Sequence, residues 1–311
     1  CFNERLIELG LTIHYDFETN KKTTDKQAER IMNDLWQFAN TLKQTGALEE
    51  VSELFYINKE DIEYIRGLSY EERNKHPLGW AAIQCTERLR KKVSVGKNSL
   101  GKHIYKDVYK EIYPEEGWLF TTWPGEGSEE ANFGLMRYPT EVTLTEGIYD
   151  HRVAQPLDSL VVKTGFKHWS WSSFCKTQYA STVGLAHFAK CHIAVCTLLD
   201  HIYMNDRLNL EVSDEGEFWE KRNVPALIRE VGDWNRMIAS FTGALLDAKN
   251  TAGFEDLSIE APIMDHPSFE VLETEGHKEL HNKTAINLMS LLSDVLKLKE
   301  VEGKLPKEGN N

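Results

Sequence analysis

The sequence lacks the short motifs that identify common catalytic and nucleotide sites: there is no GxGxxG after a strand, no GxxxxGKS or GxxxxGKT, no HExxH, no GxSxG and no EF-hand loop. Each motif is a geometric device, such as a phosphate cradle or a zinc-binding helix face, so its absence removes the chemistry that depends on it. An enzyme with a less common site stays open. Cysteine is scarce as well. Its five residues form no CxxC pair, their number is odd, and three lie in apolar stretches. That excludes a disulfide framework and leads to an expectation of free thiols in a reducing, cytoplasmic compartment. No segment qualifies as a membrane span, because the best apolar run, Val183–Leu199, carries His187, Lys190 and His192, each costly at the centre of a bilayer. A core helix is the expectation there. The chain starts at Cys1 rather than Met; with no signal peptide to support a processed lipoprotein end, a fragment is the simplest expectation.

An excess of positive charge is missing too. The formal net charge is -13, which repels polyanions and makes nucleic acid or an anionic membrane an unlikely general partner. One island opposes the trend: from Arg88 to Lys110 eight basic residues face a single acidic one, Asp107. It reads as a solvated face or as an anion site. Against these absences, 41% apolar residues and 32 aromatics spread over 311 residues are ample for a packed core.

Patterning predicts an α+β fold. Leu11, Ile13, Tyr15 and Phe17 alternate with polar residues as in a half-buried strand. Thr24 and Gln27 have capping-box spacing ahead of a helical stripe from Ala28 to Leu42 that Gly46 stops. Val51–Ile57 reads as a second strand, making a βαβ unit one option. Residues 59–113 allow no topology to be assigned. Trp118–Trp123 and Phe133–Tyr138 predict a hairpin around an acidic loop containing Glu126, Glu129 and Glu130. Further on, strands are expected at Leu160–Lys163, Phe166–Phe174 and Leu208–Val212, and helices at Val183–Tyr203 and after Asn223, with Pro225 in the first turn. Leu257–Ala261 can form a strand, and Leu280–Leu298 a final amphipathic helix. The strand-helix alternation after residue 160 predicts a mixed or partly parallel sheet. The expected division is an N-terminal α+β domain over 1–150, a C-terminal α/β-like domain over 151–303 and a frayed tail over 304–311.

Chemistry is expected where two polar segments follow two strands: Phe174–Ser181 and Ser213–Arg222. If those strands are parallel neighbours, both segments leave the sheet at one edge, where ligand sites of open α/β sheets lie, and face one crevice. There Cys175 beside Lys176 can act as a nucleophilic thiolate, with Asp214, Glu215 or Glu217 as base; the alternative is a packed cysteine beside a solvated turn. Gln178, Tyr179, Trp219 and Arg222 are the candidate ligand-binding residues of that crevice. His187 with Cys191, and His192 with Cys196, each share a helix face at four-residue spacing. Two donors do not make a site, so no metal ligand is assigned and no cofactor is inferred. Trp169 and Trp171 project from one side of a strand, as packing aromatics or as a stacking platform.

The strings FCKTQYAS, CHIAVCTLLD, VSDEGEFWEKR, VGDWNRMIASF and PGEGSEEANFG together resemble a group of uncharacterised bacterial proteins over roughly Pro124–Asp265. The resemblance implies a bacterial cytoplasmic setting and carries no activity with it. The leading functional expectation is a binding or regulatory protein with a protein or small-molecule partner, self-association being compatible. The rivals are a thiol-dependent hydrolase or transferase using Cys175 and a divalent-metal protein using His187 or the acidic loop.

Overall fold

A computed structural model of the chain describes residues 11–20, 22–252 and 262–283. Its contacts group Leu11–Leu227 into one compact unit and place Ile228 onward in a second.

The first unit is organised by a seven-stranded antiparallel sheet. Along the chain its strands are β1 (Thr12–Thr19), β2 (Glu50–Val51), β3 (Phe55–Asn58), β6 (Glu116–Trp123), β7 (Ala131–Arg137), β10 (Trp169–Lys176) and β11 (Leu208–Asp214); β4 (Glu87–Lys97), β5 (His103–Ile112), β8 (Glu141–Leu144) and β9 (Leu160–Lys163) lie outside it. The spatial order is β11-β1-β10-β7-β6-β2, with β3 also on β6. An α+β fold is therefore what the chain forms. The expected βαβ unit at the start does not form as a neighbouring pair: β2 and β3 join β6, and β10, β7 and β6 lie between them and β1.

The expected division near residue 150 does not separate the sheet, because β1 and β7 from one side of it pair with β10 and β11 from the other. Both β10 and β11 run antiparallel to β1, so they share a direction and the alternation of strand and helix is real. The sheet is nonetheless antiparallel at every pairing, since β1 occupies the place between them.

Two helices pack on this sheet. In α1 (Asp25–Gln44) the Thr24 N–H donates to the Gln27 side chain at 2.9 Å and completes a capping box, while Ala28, Ile31, Met32, Leu35 and Ala39 form the buried stripe. Gly46 ends the run with φ +78°, a left-handed conformation that costs glycine little. The 3-10 turn Gln178–Thr182 leads into α5 (Leu185–Tyr203), which buries ten residues including His192. In the core Tyr15 stacks on Phe133, and both the Tyr15 hydroxyl and the Trp171 indole N–H donate to the Asn132 carbonyl, at 2.8 and 2.9 Å. Trp169 and Trp171 are both buried, so they pack and offer no stacking platform.

The segment without an assigned topology contains three short helices, α2 (Lys59–Gly67), α3 (Tyr70–Lys75) and α4 (Ala81–Gln84), followed by the β4–β5 hairpin. That hairpin is the basic island. Its apolar side joins the β8–β9 hairpin around Val95, Val108, Leu144, Ile148, Val153 and Val162. Arg88, Arg90, Lys92 and Lys97 are exposed, while Lys91 and Lys106 donate to the carbonyls of Lys163 and Tyr149. A solvated face accounts for it. Next come α6 (Phe218–Lys221) and α7 (Val224–Ala252), whose start is capped by the Asn223 side chain accepting from the Ala226 N–H at 3.1 Å.

In the second unit the body of α7 and α8 (Phe269–Lys283) pack around Ile238, Ala239 and Ile263, with Trp234, Phe269 and Leu272 at the margin. Their approach requires Gly276, where a Cβ would lie 2.2 Å from the Arg236 carbonyl oxygen and 2.7 Å from the Ser240 Cβ. The strand expected at Leu257–Ala261, most of the helix expected to Leu298 and the tail lie outside the described residues. Among the described residues no helix is long and apolar enough to cross a membrane.

Truncating Trp171 to Ala should lower stability by about 3–5 kcal/mol. Tyr15→Phe should lose only about 0.5–1.5 kcal/mol, because Trp171 still serves the shared carbonyl. Urea unfolding checks the contrast, and equal losses would show that the hydroxyl, not the rings, anchors the core.

Candidate functional site

The shared direction of β10 and β11 brings the two expected segments to one rim of the sheet, with the start of β1 between them. Leu11 N–H donates to the Gln178 side chain and Thr12 N–H to the Glu215 carboxylate, both at 2.9 Å. Glu215 N–H returns a bond to the Thr12 carbonyl at 3.1 Å, and Thr177 N–H one to the Leu11 carbonyl at 3.3 Å. The juxtaposition therefore forms, but its polar residues hold the entering chain. Gln178 is fully buried in this clamp and does not face a ligand. Glu215 is a backbone acceptor, not a poised base.

Cys175 is fully buried on β10. Its thiol lies 3.4 Å from the Glu129 carbonyl and 3.9 Å from the Ser128 hydroxyl. Burial pushes the thiol far above its usual range, the Ser128 hydrogen bond pulling weakly the other way. Lys176 is the next residue of the strand and so projects to the opposite face. The activated-thiolate reading fails on both counts. Burial likewise raises Cys85 to about 12 and Cys191 to about 11, and all four cysteines among the described residues are free and buried.

The other candidates are engaged locally. Arg222 clamps Asp200 with two bonds of 2.7 and 2.8 Å, and its guanidinium sits 4.4 Å from the centre of the Trp219 ring. Glu217 pairs with Lys221. Glu217 and Arg222 flank the single turn of α6 with φ of +53° and +50°, a left-handed backbone that non-glycine residues enter only under local constraint. Tyr179 is half-buried, and burial together with Glu129 raises its phenol. His187 bonds the Glu126 carbonyl at 2.9 Å and lies 3.6 Å from the Cys191 thiol, a pair rather than a ligand set.

Asp214 does lie at a functional-looking junction, though not in the expected role. Its carboxylate takes His192 Nε2 at 3.1 Å and the N–H groups of Gly216 and Trp219 at 2.8 Å each. The second ring nitrogen of His192 meets the Thr177 hydroxyl at 2.8 Å. Burial alone would raise the Asp214 carboxyl, but the His192 bond and charge and the two N–H donors outweigh it and hold the group below its ordinary value. This is the order of a hydroxyl, base and acid relay. It is sealed: Thr177 and His192 are 0% exposed and Asp214 6%, so no substrate reaches the hydroxyl. Cys196, also 0% exposed, completes a group of nitrogen, sulfur and oxygen donors lying within 4.8 Å of one another. Sequence reasoning paired His192 with Cys196 but missed Thr177. The available signal was a histidine within an apolar helix, since a buried imidazole needs partners for both nitrogens.

Three surface hollows of about 410, 790 and 500 Å³ are lined by none of Cys175, Lys176, Asp214, Glu215 or Glu217. The first crosses β11, β1 and β10 and is walled by Asp16, Glu18, Glu87 and Glu211 with Phe17, Phe166 and Trp171. Asp16 and Glu211 are direct cross-strand partners, a pairing in which like charges repel. None of the four carboxylates joins an ion pair among the described residues. Glu87 is raised first by burial and then by Asp16.

Thiol labelling read out by mass spectrometry should leave Cys85, Cys175, Cys191 and Cys196 unmodified in the native protein and modify them together on unfolding; a native-state burst at Cys175 would restore it as a nucleophile. No family model, curated protein or solved structure matches the chain, so its function has to be read from the groove and the buried cluster themselves.

Proposed function

We propose that this chain is a binding protein of the bacterial cytoplasm, and that its ligand is a small organic cation carrying at least one amine, held in the groove across β11, β1 and β10. The observation that carries this reading is Asp16 facing Glu211 in register in a hollow also walled by Glu18 and Glu87. A cation between the two strands turns their repulsion into two charge-assisted bonds. Phe166, which is partly exposed, adds apolar wall for the methylenes of an alkylamine. Support for the cytoplasmic setting comes from the free thiols and from the resemblance of residues 124–265 to bacterial sequences.

Titration with a polyamine such as spermidine should raise the melting temperature and give a saturable calorimetric signal that weakens with salt. A neutral polyol of similar length should do neither. Asp16→Asn combined with Glu211→Gln should abolish the signal while leaving the free protein at least as stable. Absence of any amine effect on the wild type, or binding that survives the double variant, would overturn the assignment.

Glu87 supplies a pH test. Its folded pKa lies above the unfolded value of about 4.5, so its contribution to stability is complete below that value and is lost as pH rises through the folded one. Glu87→Gln should therefore be more stable than the wild type near pH 7, the advantage fading by pH 4, as measured by urea midpoints without ligand. An advantage independent of pH would assign the effect to packing.

A further inference from the structure

We infer that His192, Cys196 and Asp214 form a structural binding site for a divalent transition-metal ion of the zinc type, separate from the groove. His192 and Cys196 lie four apart on α5 and therefore on one face, and Asp214 ends β11, against which α5 packs. The three donor atoms lie within 4.8 Å of one another. Zinc bonds of about 2.0 Å to nitrogen or oxygen and 2.3 Å to sulfur put tetrahedral donors roughly 3.3–3.6 Å apart. His192 and Asp214 already approach to 3.1 Å and the donors all lie within 4.8 Å of one another, so closing the site requires an approach of about 1.3 Å at most.

The surroundings have the features of an outer ligand shell. The Thr177 hydroxyl fixes the His192 ring through its second nitrogen, and the Gly216 and Trp219 N–H groups orient the Asp214 carboxylate. Phe188 and Phe218 flank the imidazole, with ring centres 5.7 and 6.1 Å away, and the fourth tetrahedral position, which the three side chains leave open, is taken by a water. A hydrogen-bonded histidine and aspartate need no thiol beside them, whereas a soft metal does.

Charge and protons balance on binding. The His192 ring proton passes from Nε2 to Nδ1, where it is donated to the Thr177 oxygen, and Cys196 releases its thiol proton to solvent. The thiolate and the Asp214 carboxylate then cancel the two positive charges of the ion. A neutral centre is the form that full burial tolerates.

The test uses the untagged full chain. Elemental analysis after purification should find about one zinc per chain. Replacement with cobalt should give a thiolate-to-cobalt absorption band that Cys196→Ser removes and Cys191→Ser keeps. Thr177→Val should weaken zinc binding roughly 10–100-fold while preserving the band, as loss of an outer-shell partner does. If Cys196→Ser does not fold, X-ray absorption of the wild type still decides, one sulfur among nitrogen and oxygen neighbours being the expected shell. Protein that carries no metal, and whose melting temperature ignores added zinc and strong chelators, would overturn the site; so would a shell without sulfur.

Discussion

The arrangement of the first unit depends on one insertion: β1 lies between β10 and β11, strands that follow it by some 150 to 200 residues. Because β1 runs against both, they must share a direction, and their C-terminal ends meet at the rim where β1 begins. The clamp of Gln178 and Glu215 on Leu11 and Thr12 follows from that geometry. So does the meeting of Asp214 with His192, since α5 connects the two strands.

Burial decides which of the meeting groups are chemically available. A thiol in the dry interior stays protonated, and this removes Cys175 from nucleophilic chemistry although it lies beside the expected partners. The same dryness makes the His192 and Asp214 bond strong and any unpartnered member of the network costly. A sealed hydroxyl, imidazole and carboxylate relay therefore acts on structure, through the orientation of α5 against β11, rather than on a substrate.

The outer face of the same strands shows the opposite regime. Asp16 and Glu211 confront each other in water, where repulsion is weak enough to be tolerated and strong enough to favour a cation. Four carboxylates, Asp16, Glu18, Glu87 and Glu211, line this one hollow, while the basic residues between 88 and 110 are spread along a separate hairpin with an apolar underside.

Local rules were sufficient wherever a residue's partners lie nearby in sequence. The alternation in β1, the Thr24 and Gln27 box, the β6–β7 hairpin and the Asn223 cap could all be read directly, because each depends on residues close by in sequence, at most about twenty apart in the hairpin. The segments after β10 and β11 were expected together on the condition that the two strands were parallel neighbours; they share a direction, but β1 lies between them. What local pattern could not reveal was the strand placed between them, and hence that Gln178 and Glu215 serve β1 and that Asp16 meets Glu211, whereas the inward-facing Cys175 matches the packed-cysteine alternative. Those outcomes rest on long-range pairing, which leaves almost no local trace in composition or periodicity. The amino-acid sequence by itself determined the elements and their order; only the tertiary structure decided which polar side chains meet water and which meet each other, since solvent exposure belongs to the packed molecule and not to any segment of it.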